Sequence, residues 1–198
     1  MPESIPILHD RDIREPLFDY LEQVFGKVRI LEEKTMGKSR ADVVMVLEGA
    51  LAGVEIKSDA DSYVRLARQV KDYDRYYDYN YVAVGTTHAH HIEEHVPDHW
   101  GIITVEYADA PSANRSPDRG AGLDFYLLRR AKRCPKRDMK RKLTILWREE
   151  LAHILAANHL PKYSGKSKAY IRTVLTDRVP ETLLDEQISE ELFEREYS

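Results

Sequence analysis

The spacing of apolar residues changes several times along the chain, and each change marks a new element. Ile13, Leu17, Tyr20, Leu21 and Val24 recur every three or four positions, which predicts an amphipathic helix that starts at Asp10 or Asp12 and runs to about Phe25. Residues 1–9 read as an irregular lead-in. Pro16 falls within the first turn or so, where proline is tolerated, and Gly26 ends the helix. Val28 to Leu31 predicts a strand, followed by a polar loop over residues 32–39. From Arg40 to Ser58, two β-branched and aliphatic runs flank Glu48-Gly49, which predicts a hairpin with a two-residue turn. Tyr63, Leu66, Val70, Tyr73 and Tyr77 return to helical spacing, with a cap among residues 58–61. Residues 81–84 form the next expected strand. A strand, helix and strand in that order make a right-handed parallel crossover. A short helix over residues 88–96 and a strand over 101–107 follow.

Beyond that point the pattern loosens. Residues 109–122 read as a loop, and 123–128 as a returning edge strand. Residues 129–142 hold nine basic residues and one acid, Asp138. A helix through Leu146, Leu151, Ile154 and Leu155, an extended loop from His159 to Lys168, and a helix through Tyr170, Ile171, Val174 and Leu175 come next. A last helix is expected around Leu183, Leu184, Ile188, Leu192 and Phe193.

The hairpin carries the chemistry. A turn at Glu48-Gly49 sets Leu47 against Ala50 and, carried outward, Asp42 against Glu55. Directly opposed residues have Cβ atoms about 4.5–5.5 Å apart. Side chains alternate with period two, so Lys57 shares the face of Glu55. Two carboxylates that close repel unless a cation sits between them. Mg²⁺ takes hard oxygen ligands and is held by one or two carboxylates. A lysine beside such a pair can orient a water, and these are the parts needed to hydrolyse a phosphodiester. The same residues would also suit a surface strand with an unrelated aspartate.

Asp42 followed by Glu55-Ile56-Lys57 resembles the PD-(D/E)XK nuclease motif, with Ala41 where that motif often has proline. Gln69-Val70-Lys71-Asp72-Tyr73 is similar to the Gln-x-x-x-Tyr motif of its RecB-like branch. The resemblance covers residues 10–107 and is closest to small bacterial and phage members of the superfamily. It implies an α/β fold with a restriction-endonuclease-like core, α-β-β-β-α-β, whose mixed sheet is flanked by helices, plus a small C-terminal helical element. It implies Mg²⁺ (or Mn²⁺) held by Asp42, Glu55 and the Ile56 carbonyl, with Lys57 placing the attacking water. Gln69 and Tyr73 would support the site, and Glu15 is the candidate first-helix acid. The stretch Leu160-Pro161-Lys162-Tyr163-Ser164-Gly165-Lys166 resembles a SAP-type DNA-binding loop.

Composition narrows the class. The chain has 198 residues, 42% hydrophobic and 32% charged, which suits a soluble globular protein. No apolar run reaches the length of a membrane span, so no membrane is expected as a partner. Cys134 is the sole cysteine, which excludes an intrachain disulfide and suits a cytoplasmic protein. It stands in a basic stretch with no histidine near it in sequence and reads as incidental. His88, His90, His91 and His95 lack a cysteine or acid at metal-site spacing. The net charge of −4 hides a concentrated positive run. These features give three regions: a nuclease core over 1–108, a connector with the basic segment over 109–142, and a helical DNA-binding element with an acidic tail over 143–198. The expected partner is DNA, with a homodimer if both strands are cut. Arg129, Arg130, Lys132 and Arg133, together with Lys162, Lys166 and Lys168, are the candidate phosphate contacts. The rival readings are a nucleic-acid-binding module that does not cut, and a phage structural or partner-regulating protein. Metal-dependent cleavage separates the first reading from both.

Overall fold

The computed structural model describes residues 7–108 and 122–196. The expected loop over 109–122 therefore lies almost wholly outside the described residues, as does most of the lead-in. The described chain is a mixed α/β structure. Helix α1 (Asp10–Phe25) precedes three antiparallel strands, β1 (Arg29–Met36), β2 (Ser39–Leu47) and β3 (Ala50–Lys57). Helix α2 (Leu66–Tyr76) crosses over to β4 (Tyr79–Gly85), which pairs parallel with β3. After the short helix α3 (Thr86–Ala89), β5 (Gly101–Tyr107) adds in parallel and β6 (Leu123–Arg129) antiparallel. The six strands lie in sequence order in one sheet.

The expected polar loop after Leu31 is instead the continuation of β1. This strand is a sheet edge, so Glu32 and Glu33 are exposed while Glu32 and Lys34 still pair with Val43 and Ala41 of β2. Pro16 sits in the second turn of α1 rather than the first.

The two faces of the sheet are covered differently. Helix α1 lays Ile13, Leu17 and Leu21 on one face, against Val43, Met45, Val54 and Ile56. The alternate residues Val44, Val46 and Leu51 face the other way, against Val70, Tyr73 and Tyr77 of the α2 region. That second core also takes in the C-terminal helices. Leu143, Leu151, Ile154, Leu155, Ile171, Leu175, Leu184, Ile188 and Leu192 are buried in the same cluster. They come from α4 (Met139–Lys142) and the turn after it, α5 (Arg148–Ala157), α6 (Lys168–Arg178) and α7 (Glu181–Glu194).

Ion pairs fasten this C-terminal part to the sheet. Lys142 is fully buried and bonds Asp78, while its Nζ also meets Asp185 at 2.6 Å. Arg137 reaches the same Asp185 at 2.6 Å and Asp78 at 3.2 Å. Arg195 pairs with Glu150 at 2.6 Å and lies 4.2 Å from the centre of the Trp147 ring. The helices after residue 143 thus share one hydrophobic core with the strands.

Candidate active site

The β2–β3 hairpin folds in the register that its turn sets. Leu47 pairs with Ala50 and Val43 with Val54. Of the two central residues only the second, Gly49, takes positive φ (66°), so the turn is not a primed type, each of which needs positive φ at the first. Backbone pairing ends at Val43–Val54, and the two strands part there. Asp42 and Glu55 are the next residues outward, on the face that α2 covers. The Asp42 side chain fills the gap, its Oδ2 accepting the Ile56 N–H at 2.9 Å.

Glu55 is held from three sides. Lys57 Nζ donates to Oε1 at 2.7 Å, Gln69 Nε2 donates to the same oxygen, and the Tyr73 hydroxyl donates to Oε2 at 2.9 Å. Tyr73 Oη also lies 3.1 Å from the Val54 carbonyl and 3.3 Å from the Asp42 N–H, so one phenol ties α2 to both strands. Gly53 makes this approach possible. A Cβ there would fall 2.4 Å from the Tyr77 ring and 2.6 Å from the Tyr73 ring. The sequence-expected group Asp42, Glu55, Lys57, Gln69 and Tyr73 is therefore brought together.

Glu15 is not part of it. It is exposed, and Asp10 and Arg14 are the α1 residues that line the cleft. Arg14 binds Asp10 at 2.9 Å and donates to the Asp42 carbonyl at 3.2 Å. An i,i+4 acid–base pair in the first turns was the sequence signal for that face. Glu33 also lines the cleft, at the β1 position opposite Asp42, with its backbone in the left-handed region at φ 52°.

The cleft is open, with a volume of about 590 Å³. Burial, and next the Glu55 charge, push the Asp42 carboxyl up to about 7. Arg14 compensates only from a distance, with Nη2 4.0 Å from Asp42 Oδ1. Gln69 Oε1 is buried with no hydrogen-bond partner among the described residues. A carboxylate offers about four lone-pair sites. Glu55 uses three of them, and Asp42 Oδ1 accepts no hydrogen bond among the described residues. Residues that bond across a ladder exchange N–H and C=O towards the same side. The Ile56 carbonyl therefore looks into the same gap as its N–H. This all-oxygen donor set is of the kind that a hard divalent cation takes.

The candidate phosphate contacts fare unevenly. Arg129 donates to the Trp100 and Pro97 carbonyls at 2.7 and 3.3 Å, and Arg133 pairs with Asp185 at 2.7 Å. Both are committed within the protein. Arg130 and Lys132 are exposed. Lys162 and Lys166 are exposed and Lys168 half-buried, on a loop whose carbonyls at Ser164 and Lys166 accept from Arg148 at 2.7 and 2.8 Å. Arg148 so shapes the SAP-like loop from α5.

Cys134 does have a histidine beside it in space. Its Sγ lies 3.6 Å from His99 Nε2 and donates to the Asp74 carbonyl at 3.1 Å. Asp74, His99 and Cys134 form a cluster of metal-ligand types. Its hydrogen bonds are already closed, since Asp74 Oδ1 accepts from Trp100 and His99, each at 2.8 Å. Burial pushes the thiol up to about 11, which marks a structural cysteine. Of the expected histidine group, His88 and His95 flank the Tyr63 ring, at centroid distances of 4.7 and 4.1 Å.

A family model described as Bacteriophage P4 protein cII matches residues 8–197 of the chain. No curated protein and no solved structure matches it.

Proposed function

We propose that this chain, which belongs to the bacteriophage P4 protein cII family, is a metal-dependent nuclease that hydrolyses phosphodiester bonds in DNA, built on a restriction-endonuclease-like core. The observation that carries this reading is the convergence of Asp42, Glu55 and Lys57 on one cleft, with Gln69 and Tyr73 fixing Glu55 from α2. The order helix, three antiparallel strands, helix, parallel strand also supports it.

Asp42 and Glu55, with the Ile56 carbonyl, would hold Mg²⁺ or Mn²⁺. When bound, the ion supplies Lewis acidity to a phosphate oxygen and makes a water more acidic. The chain's own residues do the rest. Tyr73 and Gln69 hold Glu55 in one orientation by donating to it. Lys57, with its side chain 4% exposed and 2.7 Å from Glu55, orients a water for in-line attack on phosphorus. Its ammonium also offsets the negative charge that gathers on the phosphate oxygens. As the new P–O bond forms the water gives up a proton to solvent, the bond to the leaving sugar oxygen breaks, and that oxygen takes up a proton from solvent.

Purified protein incubated with a panel of labelled DNAs tests the reading. Cleavage in Mg²⁺ or Mn²⁺, absent in EDTA and lost in Lys57→Ala, is the expected result. Equal cleavage by wild type and Lys57→Ala would overturn the catalytic assignment.

A further inference from the structure

Several cations of the C-terminal half are spent internally. Arg129, Arg133, Arg137, Lys142, Arg148 and Arg195 all bond carbonyls or carboxylates. A second set of cations lies beside the cleft and is not spent in this way. Arg65, Arg68, Lys71 and Arg75 are exposed, and none of their side chains makes a hydrogen bond or ion pair among the described residues. They stand at i, i+3, i+6 and i+10, so they form a row that starts at Arg65, the N-cap of α2, and continues along the helix's outer face. The inner face of the same helix carries Leu66, Val70 and Tyr73 into the core.

The row leads to the candidate active site. Arg65 and Arg68 line the cleft, with Lys38 on its border from the β1–β2 turn. At 1.5 Å per residue, the ten steps from Arg65 to Arg75 extend about 15 Å. Four cations this close repel one another unless anions spaced along the row meet them. Val64, next to Arg65 in sequence, is an apolar side chain that is 89% exposed.

We propose that this face of α2 is a track for one strand of DNA, with its phosphates on Arg65, Arg68, Lys71 and Arg75 and its scissile bond in the cleft. The substrate class is single-stranded DNA, or a single-stranded end. A site of about 590 Å³ lies in the range that holds a drug-sized ligand, on the order of a nucleotide or two. A basic groove that follows one backbone is the usual form of sequence-tolerant single-strand binding. The inference rests on the nuclease reading for the position of the scissile bond, but not for the binding itself.

The test uses the full chain in EDTA and a fluorescein-labelled single-stranded DNA, read by anisotropy over a salt series. The quadruple variant Arg65→Gln, Arg68→Gln, Lys71→Gln, Arg75→Gln should bind at least about tenfold more weakly. Its slope of log K against log salt should be shallower by about 0.7 for each phosphate that is no longer neutralised. Its melting temperature should match wild type, since all four side chains are exposed. Arg130→Gln with Lys132→Gln should leave the slope unchanged. Unchanged affinity and slope in the folded quadruple variant would overturn the track, even if wild type cuts DNA. Equal or tighter binding of a blunt duplex would overturn the single-strand assignment. If the quadruple variant loses binding but wild type fails to cut in Mg²⁺ or Mn²⁺, the track stands and the nuclease reading falls.

Discussion

The Asp42 carboxylate takes the Ile56 N–H at 2.9 Å, at the point where β2 and β3 part. A side chain thus replaces the backbone partner that the ladder no longer supplies. It also points the second oxygen of Asp42 and the Ile56 carbonyl into one gap beside Glu55.

That placement gives Asp42 a pH signature. Its carboxyl is raised from 3.8 to about 7, mainly by burial and then by Glu55. The folded state therefore holds a proton that the unfolded chain has released. Asp42 contributes stability that is complete below about 3.8 and is lost as pH rises through about 7. In EDTA, the melting temperature of wild type relative to Asp42→Asn should fall between about pH 4 and 7 and level off above that. Added Mn²⁺ should restore wild type at the upper end and do little at the lower end, where the proton competes. A pH-independent difference between the two proteins would contradict this.

The close approach at Gly53 yields a packing prediction. A methyl group at this position meets two rings on the α2 side at 2.4 and 2.6 Å. Gly53→Ala should destabilise the protein by about 1–3 kcal/mol, the usual cost of overpacking. Because the displaced Tyr73 also holds Glu55, cleavage should fall in the fraction that stays folded. Denaturant melts and single-turnover assays check both effects. A neutral substitution would show that α2 can move off the strand freely.

Lys142 is fully buried between Asp78 and Asp185. Lys142→Met strands two buried carboxylates and should cost about 3–5 kcal/mol in urea unfolding. Removing α7 should unfold the chain for the same reason, and because Leu184, Ile188 and Leu192 close the core. A loss below about 1 kcal/mol for Lys142→Met would mean that Arg133 and Arg137 suffice.

Much of this was legible in the sequence where one face is buried. The hairpin register follows from the period of two and a glycine at the turn, so Asp42 and Glu55 could be paired on paper. Gln69 and Tyr73 followed from resemblance and helical spacing. The polar half of β1 was not legible, because an edge strand carries a solvent pattern like a loop. Glu15 was misplaced because a helix face can be assigned only to within about one residue when its first apolar contact is unknown. The basic segment misled most. Charge along the sequence does not reveal its partners, and Asp78 and Asp185 lie 64 and 43 residues from Lys142. His99 lies 35 residues from Cys134, and nothing local links them.

Truncating Lys57 isolates the chemistry from the binding. Lys57→Ala should keep the fold and its affinity for Mn²⁺ but cut DNA at least about 10²- to 10³-fold more slowly, the range for losing one group that stabilises transition-state charge. Asp42→Asn should lose Mn²⁺ affinity itself, seen by calorimetry without any substrate.

The most direct measurement is the single-turnover cleavage rate of labelled single-stranded DNA by wild type and Lys57→Ala, in Mg²⁺ and in EDTA. Cleavage by wild type in Mg²⁺ alone, with Lys57→Ala folded and inactive, is the predicted result. No cleavage by wild type with either Mg²⁺ or Mn²⁺, or cleavage that persists in EDTA, would contradict the account.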